Sequence, residues 1–150
     1  MSGHGKVVDG NGSDSDKSAV RTASQFVGAA LDQNKGKSSS LASAHANYSK
    51  VFAITVENRK GAIGGFFTPA AAGISRNGLI TIMNKKFGPG YLPDHPANLA
   101  RALLHESGHL TPGQFALPWR QHGQLDAIAR DQTGALGLGT CTAGAGFPGC

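Results

Sequence analysis

The sequence predicts a small α+β domain, and three observations carry that reading. Residues 51–56 and 79–83 are short runs rich in β-branched and aromatic side chains between turn-forming residues, as strands are. Residues 17–34 and 96–110 repeat apolar side chains at helical spacing. The chain has 150 residues with 39% hydrophobic content, enough for one modest core, while 22 glycines and only 15% charged residues indicate many loops.

Taken in order, residues 1–16 are mostly Gly, Ser, Asp and Asn and read as a disordered arm or linker. Residues 17–150 then form a single domain with a Gly-rich C-terminal tail. In the first helix, Val20, Ala23, Phe26, Val27, Ala30 and Leu31 are the apolar set. Residues 35–40 break it, and a second short helix follows over 41–48. The strand at 51–56 leads through a turn at 59–61 to another at 62–68, weakened by Gly64 and Gly65. Asn77-Gly78 is a turn signal, and 79–83 is the third strand. The sheet is expected to be short and mixed or antiparallel. There is no internal repeat.

The helix over 96–110 has the fullest set of signals. Asp94 caps it, Pro96 suits its first turn, and Leu99, Leu103 and Leu110 form a core stripe. Asn98, Ala102, His105 and His109 form another stripe, and Thr111, Pro112 and Gly113 end the helix. A following helix over 120–136 would bury Leu125, Ile128 and Ala129.

The chemistry is concentrated in His105-Glu106-Ser107-Gly108-His109. Two histidines four apart on a helix project from the same side and suit one Zn²⁺ at about 2.0–2.1 Å. Glu106 lies roughly 100° around the helix, placed to accept a proton from a zinc-activated water rather than to bind the metal. Only Glu57 and Glu106 occur in the whole chain, so the glutamate in the motif is not background. A polar helix face is the bland alternative. The leucine stripe and the preceding strand favour the catalytic-zinc reading, with Glu106 as the catalytic residue.

Residues 79–83 followed by Leu103-Leu104-His105-Glu106-Ser107-Gly108-His109 resemble the core of the zincin metallopeptidases. The likeness covers residues 79–131, roughly a third of the chain, and only the HExxH element is specific. It implies a zincin-like domain in which an edge strand aligns the substrate backbone ahead of the active-site helix, and a second ligand helix follows. It also implies peptide-bond hydrolysis, with His105 and His109 as ligands and Glu106 as general base. A catalytic zinc needs a third protein ligand. The metzincin continuation is missing, and no glutamate follows Glu106, as gluzincins require. Asp126-Ala127-Ile128-Ala129 is similar to the gluzincin second-helix pattern with Asp for Glu, as in aspzincins, although the aspzincin Gly-Thr-x-x-Asp motif is absent. His122-Gly123 resembles the third-histidine segment of SprT-like zincins. Asp126 is preferred as third ligand, with His122 as the alternative ligand or a transition-state stabiliser. Asp131 ranks behind both.

Weaker candidates are Tyr91 for an oxyanion and Arg101 for a substrate carboxylate; each is more simply a packing or solvated residue. His45 and His95 have no partner in sequence, and Trp119 reads as core or pocket wall. Cys141 and Cys150 enclose a Gly/Ala-rich segment, and either free thiols or a disulfide fits them.

A net charge of +5 and a pI near 9.5 would attract anionic partners. The basic residues are scattered, which argues against specific nucleic-acid binding, and no segment is apolar enough to span a membrane. The expectation is a zinc-dependent peptidase acting on a protein or peptide, peptidoglycan peptides included. With no signal peptide visible, a secreted toxin or effector delivered by a specialised route fits, and an immunity or inhibitor protein would be its partner. The competing readings are a non-catalytic zinc-binding or interaction module and a deformylase-like amidohydrolase. The latter would need a cysteine upstream of the motif, where there is none.

Overall fold

The computed structural model describes residues 6–58, 61–63, 66–68, 72–74, 77–83, 96–112 and 118–138. Side-chain surroundings are described for these except 61–63, 66–68, 72–74, 96–98, 118–123 and 126. The elements run β1 (Val7–Asp9), α1 (Asp14–Asn34), α2 (Ser39–Ser49), β2 (Ala53–Glu57), β3 (Gly61–Ile63), β4 (Phe66–Thr68), β5 (Ala72–Ile74), β6 (Leu79–Met83), α3 (Pro96–Gly108) and α4 (Pro118–Ala135). The chain is α+β. Among the described residues no helix is long and apolar enough to cross a membrane.

Both early helices begin where a serine caps them. Ser13 Oγ accepts from Asp16 N at 3.0 Å, and Ser38 Oγ accepts from Leu41 N at 3.1 Å, each satisfying an otherwise orphaned amide. Asp14 and Asp16 add negative charge at the positive end of the α1 dipole. This cap starts α1 three residues before the point at which its apolar spacing becomes visible. Val20, Ala23, Val27 and Leu31 are buried along one face of α1, and Leu41, Ala44 and Tyr48 along one face of α2. Phe26, counted in the sequence among the apolar face, is 42% exposed. The buried hydroxyls Ser24 Oγ and Tyr48 Oη join the two helices at 2.6 Å.

The main sheet has the order β1-β2-β6-β5. β1 and β6 pair parallel to β2, and β5 pairs antiparallel to β6. The parallel register sets Ile54 beside Ile80 and Val56 beside Ile82, and all four side chains are 0% exposed. Alternate burial along β2 and full burial of this inner row anchor the layer of helices.

Several expectations are corrected. Residues 1–16, read as a disordered arm or linker, supply β1 and the start of α1. Three residues of strand are too short for a periodic signal, and pairing to β2 across α1 and α2 makes them a strand. Residues 62–68, read as one strand, fall into β3 and β4, which pair antiparallel as a separate two-stranded sheet. Gly64 and Gly65, where weakness is expected, lie outside the described residues. Residues 72–74 form a strand that the sequence reading omitted. Residues 79–83, read through the resemblance as an edge strand, lie inside the sheet between β2 and β5. A strand rich in Ile reads equally as edge or centre until its neighbours are known. The expected cap Asp94, with Tyr91 and His95, lies outside the described residues, as do Cys141 and Cys150.

The turn before β6 depends on glycine. Gly78 has φ of +91°, its carbonyl accepts from Phe52 N at 3.1 Å, and a Cβ there would stand 2.3 Å from Lys50 O. Gly78→Ala would combine left-handed strain with a backbone clash, so it is expected to destabilise by about 3 kcal/mol. A urea denaturation midpoint equal to that of wild type would show that this turn accepts a side chain.

Candidate metal centre

α3 is the most enclosed helix of the fold. It packs against α1, α2 and α4 and touches β5 and β6. Leu99, Ala100, Leu103 and Leu104 are all at most 1% exposed, so α3 buries far more than a single stripe. Leu110 packs partly buried at the edge of the same core. The expected Leu99–Leu103–Leu110 core face is therefore present within a wider buried surface.

Three polar residues are carried into this environment. His105, Glu106 and Ser107 are 6%, 5% and 1% exposed. Ser107 satisfies its hydroxyl locally by donating to Leu104 O at 3.3 Å. The imidazoles of His105 and His109 meet edge to face, their ring centroids 5.2 Å apart and their planes at 66°. One donor atom from each of His105, Glu106 and His109 lies within 4.8 Å of the others. Donors sharing a zinc ion at about 2.1 Å are about 3.4 Å apart in a tetrahedron.

The carboxylate of Glu106 supplies the test of fit. Burial pushes its pKa up to about 7, because desolvation penalises the charged form. Among the described residues no ion pair or hydrogen bond compensates that carboxylate. A divalent ion held by the histidines would place a positive charge beside this buried carboxylate and favour its charged form. His105, Glu106 and His109 could together hold a metal ion.

α4 is brought close to this motif by a glycine. A Cβ at Gly108 would lie 2.6 Å from Leu125 Cδ1, so the absence of a side chain lets α4 approach α3 beside His109. Leu125 and Ala129 are buried, as the sequence indicates, whereas Ile128 is only half-buried. His122 and Asp126 both lie in α4, on either side of Leu125 in sequence, and their side chains fall outside the described set. The same holds for Trp119. Asp131 is exposed, and Arg101 is half-buried on α3.

His45, without a partner in sequence, is paired with Asp32 of α1 through Nε2 and Oδ1 at 2.8 Å. The sequence reading also passed over Asn47 and treated Thr111 only as a helix stop. In the fold Asn47 Nδ2 donates to Thr111 Oγ1 at 2.7 Å, immediately beyond the motif. No local signal in the sequence marks that contact, because its partners stand 64 residues apart. No protein-family profile, curated protein or solved structure matches this chain.

Proposed function

We propose that this chain is a zinc-dependent peptidase, with His105 and His109 as metal ligands and Glu106 as general base. The observation that carries the proposal is the buried Glu106 carboxylate, without a compensating partner among the described residues and within 4.8 Å of both histidine donors. A charge kept in such a place at the cost of stability is characteristic of a functional site. Zinc bound there would supply Lewis acidity and lower the pKa of a water it held to about 7.

The chain's own residues then have defined tasks. The two imidazoles hold the ion from successive turns of α3. Glu106, whose carboxyl burial raises to about 7 in the metal-free chain, would accept a proton and return it to the departing amine. The burial of Glu106, only 5% exposed, limits water around the carboxylate and strengthens each electrostatic interaction. Of the main sheet's two edges, that at β5 lies on the strand touching α3, so an extended peptide added there would run beside the motif.

The third ligand in this reading is Asp126, with His122 in its place or as a transition-state stabiliser. α4 buries Leu125, Ala129, Gln132 and Thr133. Asp126→Ala is expected to lose metal more severely than His122→Ala, as measured by zinc content after dialysis; the reverse order would make His122 the ligand.

A second reading, a non-catalytic zinc-binding module, draws on the same depth of burial, since a closed site excludes substrate. Hydrolysis separates the two. The peptidase reading requires cleavage of an unfolded protein or of peptidoglycan peptides that stops on chelation and returns with added zinc. Stoichiometric zinc without cleavage of either substrate would favour the binding module. The toxin or effector role and its delivery by a specialised route form part of this proposal and depend on the cleavage result.

A further inference from the structure

The end of α3 is tied to α2 by a chain of hydrogen bonds that reaches the turn carrying His109. Asn47 Nδ2 donates to Thr111 Oγ1 at 2.7 Å, and Thr111 Oγ1 donates to Gly108 O at 2.8 Å. One α2 turn further on, Lys50 Nζ donates to Leu110 O at 3.3 Å. Asn47 of α2 and Lys50 at its C-terminal cap thus engage consecutive residues just after His109. Asn47 is only 4% exposed, and with Gly108, Thr111, Leu104 and Gln132 it lines a cavity of about 180 Å³ between α2, α3 and α4.

This turn needs an external hold. His109 N, Leu110 N and Thr111 N donate to Glu106 O, Ser107 O and Gly108 O at 3.2, 3.0 and 3.1 Å. Each bond spans three residues rather than four, so His109 stands where α3 tightens into a 3₁₀ turn. Such turns have poorer hydrogen-bond geometry, and helix ends fray where their carbonyls lack partners. Gly108 O accepts from both the amide and the hydroxyl of Thr111, and Asn47 fixes that hydroxyl from another helix. His105, a full turn earlier, lies within the regular helix and its enclosing core. His109 depends on the last turn.

We infer that Asn47, acting through Thr111, is a positioning residue that holds the His109 imidazole in register with His105, so that affinity for a divalent metal depends on the Asn47–Thr111 hydrogen bond. The inference rests on the metal reading above. Partners that orient a ligand are worth about 10–100-fold in metal affinity. Deleting the Thr111 hydroxyl also leaves a buried Asn47 amide unpaired, which loosens the turn further.

The test is a Co²⁺ titration of the purified full chain, read by the visible absorption of the bound ion and by amide hydrogen exchange in the metal-free protein. Thr111→Val is expected to weaken Co²⁺ binding by about 10-fold and alter the cobalt spectrum. It should also speed exchange at the amides of residues 109–111. Thr111→Ser, which keeps the hydroxyl, should restore all three. Asn47→Leu should match Thr111→Val, and the double variant should bind no more weakly than either single one. A purely structural role would lower thermal stability yet leave the affinity and spectrum of the folded protein unchanged, and that result would overturn the inference. If Asn47→Leu fails to fold, Thr111→Val against Thr111→Ser decides alone. Wild-type protein that takes up no Co²⁺ would remove the metal reading itself; unchanged binding by Thr111→Val removes only the role of Asn47.

Discussion

Glu106→Gln is expected to lower turnover of an unfolded-protein substrate by about 10²–10⁴-fold while leaving the zinc content unchanged. Glutamine keeps the size and polarity of the side chain but cannot accept the proton. The histidines stay in place, because Glu106 lies on α3 between them and is not one of the two proposed ligands on the metal stripe. KM should change little, because the loss falls on proton transfer rather than on substrate binding. If instead the variant loses its zinc, Glu106 is a ligand, and the site belongs to the non-catalytic reading.

The second large effect concerns stability in the presence of a chelator. The carboxyl of Glu106 is raised from 4.5 to about 7 in the folded chain. The native state therefore binds the proton more tightly than the unfolded state does. The resulting stability is fully present below about pH 4.5, declines as pH rises through the window to about 7, and stays lost above it. A shift of this size corresponds to about 3 kcal/mol. The informative quantity is the difference between wild type and Glu106→Gln. Urea unfolding of the metal-free proteins should show Glu106→Gln gaining about 3 kcal/mol relative to wild type between pH 4.5 and pH 8. Zinc should reverse the sign, since a cation beside the carboxylate favours its charged form. A pH-independent difference would mean that Glu106 finds a compensating charge in solution.

The parts of this fold legible in the sequence are those set by local periodicity. β6 falls on residues 79–83, as its β-branched run indicates, and the spacing of Leu99 and Leu103 identifies the buried side of α3. His105 falls within α3, whereas His109 stands one residue past its end at Gly108, the helix stopping short of the expected residue 110, and the two ring centroids are 5.2 Å apart. What depends on distant partners was not legible. β1 is a strand because β2 accepts it, and β6 is interior because β5 covers its other side. The depth of Glu106 is likewise a tertiary property. The motif indicates a proton acceptor, but only burial in the folded chain raises its pKa toward neutrality. The Asn47–Thr111 bond joins an unremarkable asparagine to a residue that reads as a helix stop. Asp126 and His122 are placed by the fold on the helix expected to carry them, and no further.

These features make one physical case. α3 carries two imidazoles and a carboxylate into a core that would otherwise be built from leucine, and the carboxylate is destabilising there unless a cation accompanies it. Zinc content of the purified wild-type protein, measured alongside His105→Ala and His109→Ala, tests this most directly. The expected result is one zinc per chain in wild type and none retained in either variant after dialysis. Wild-type protein that holds no zinc, or variants that hold it as firmly, would contradict the account.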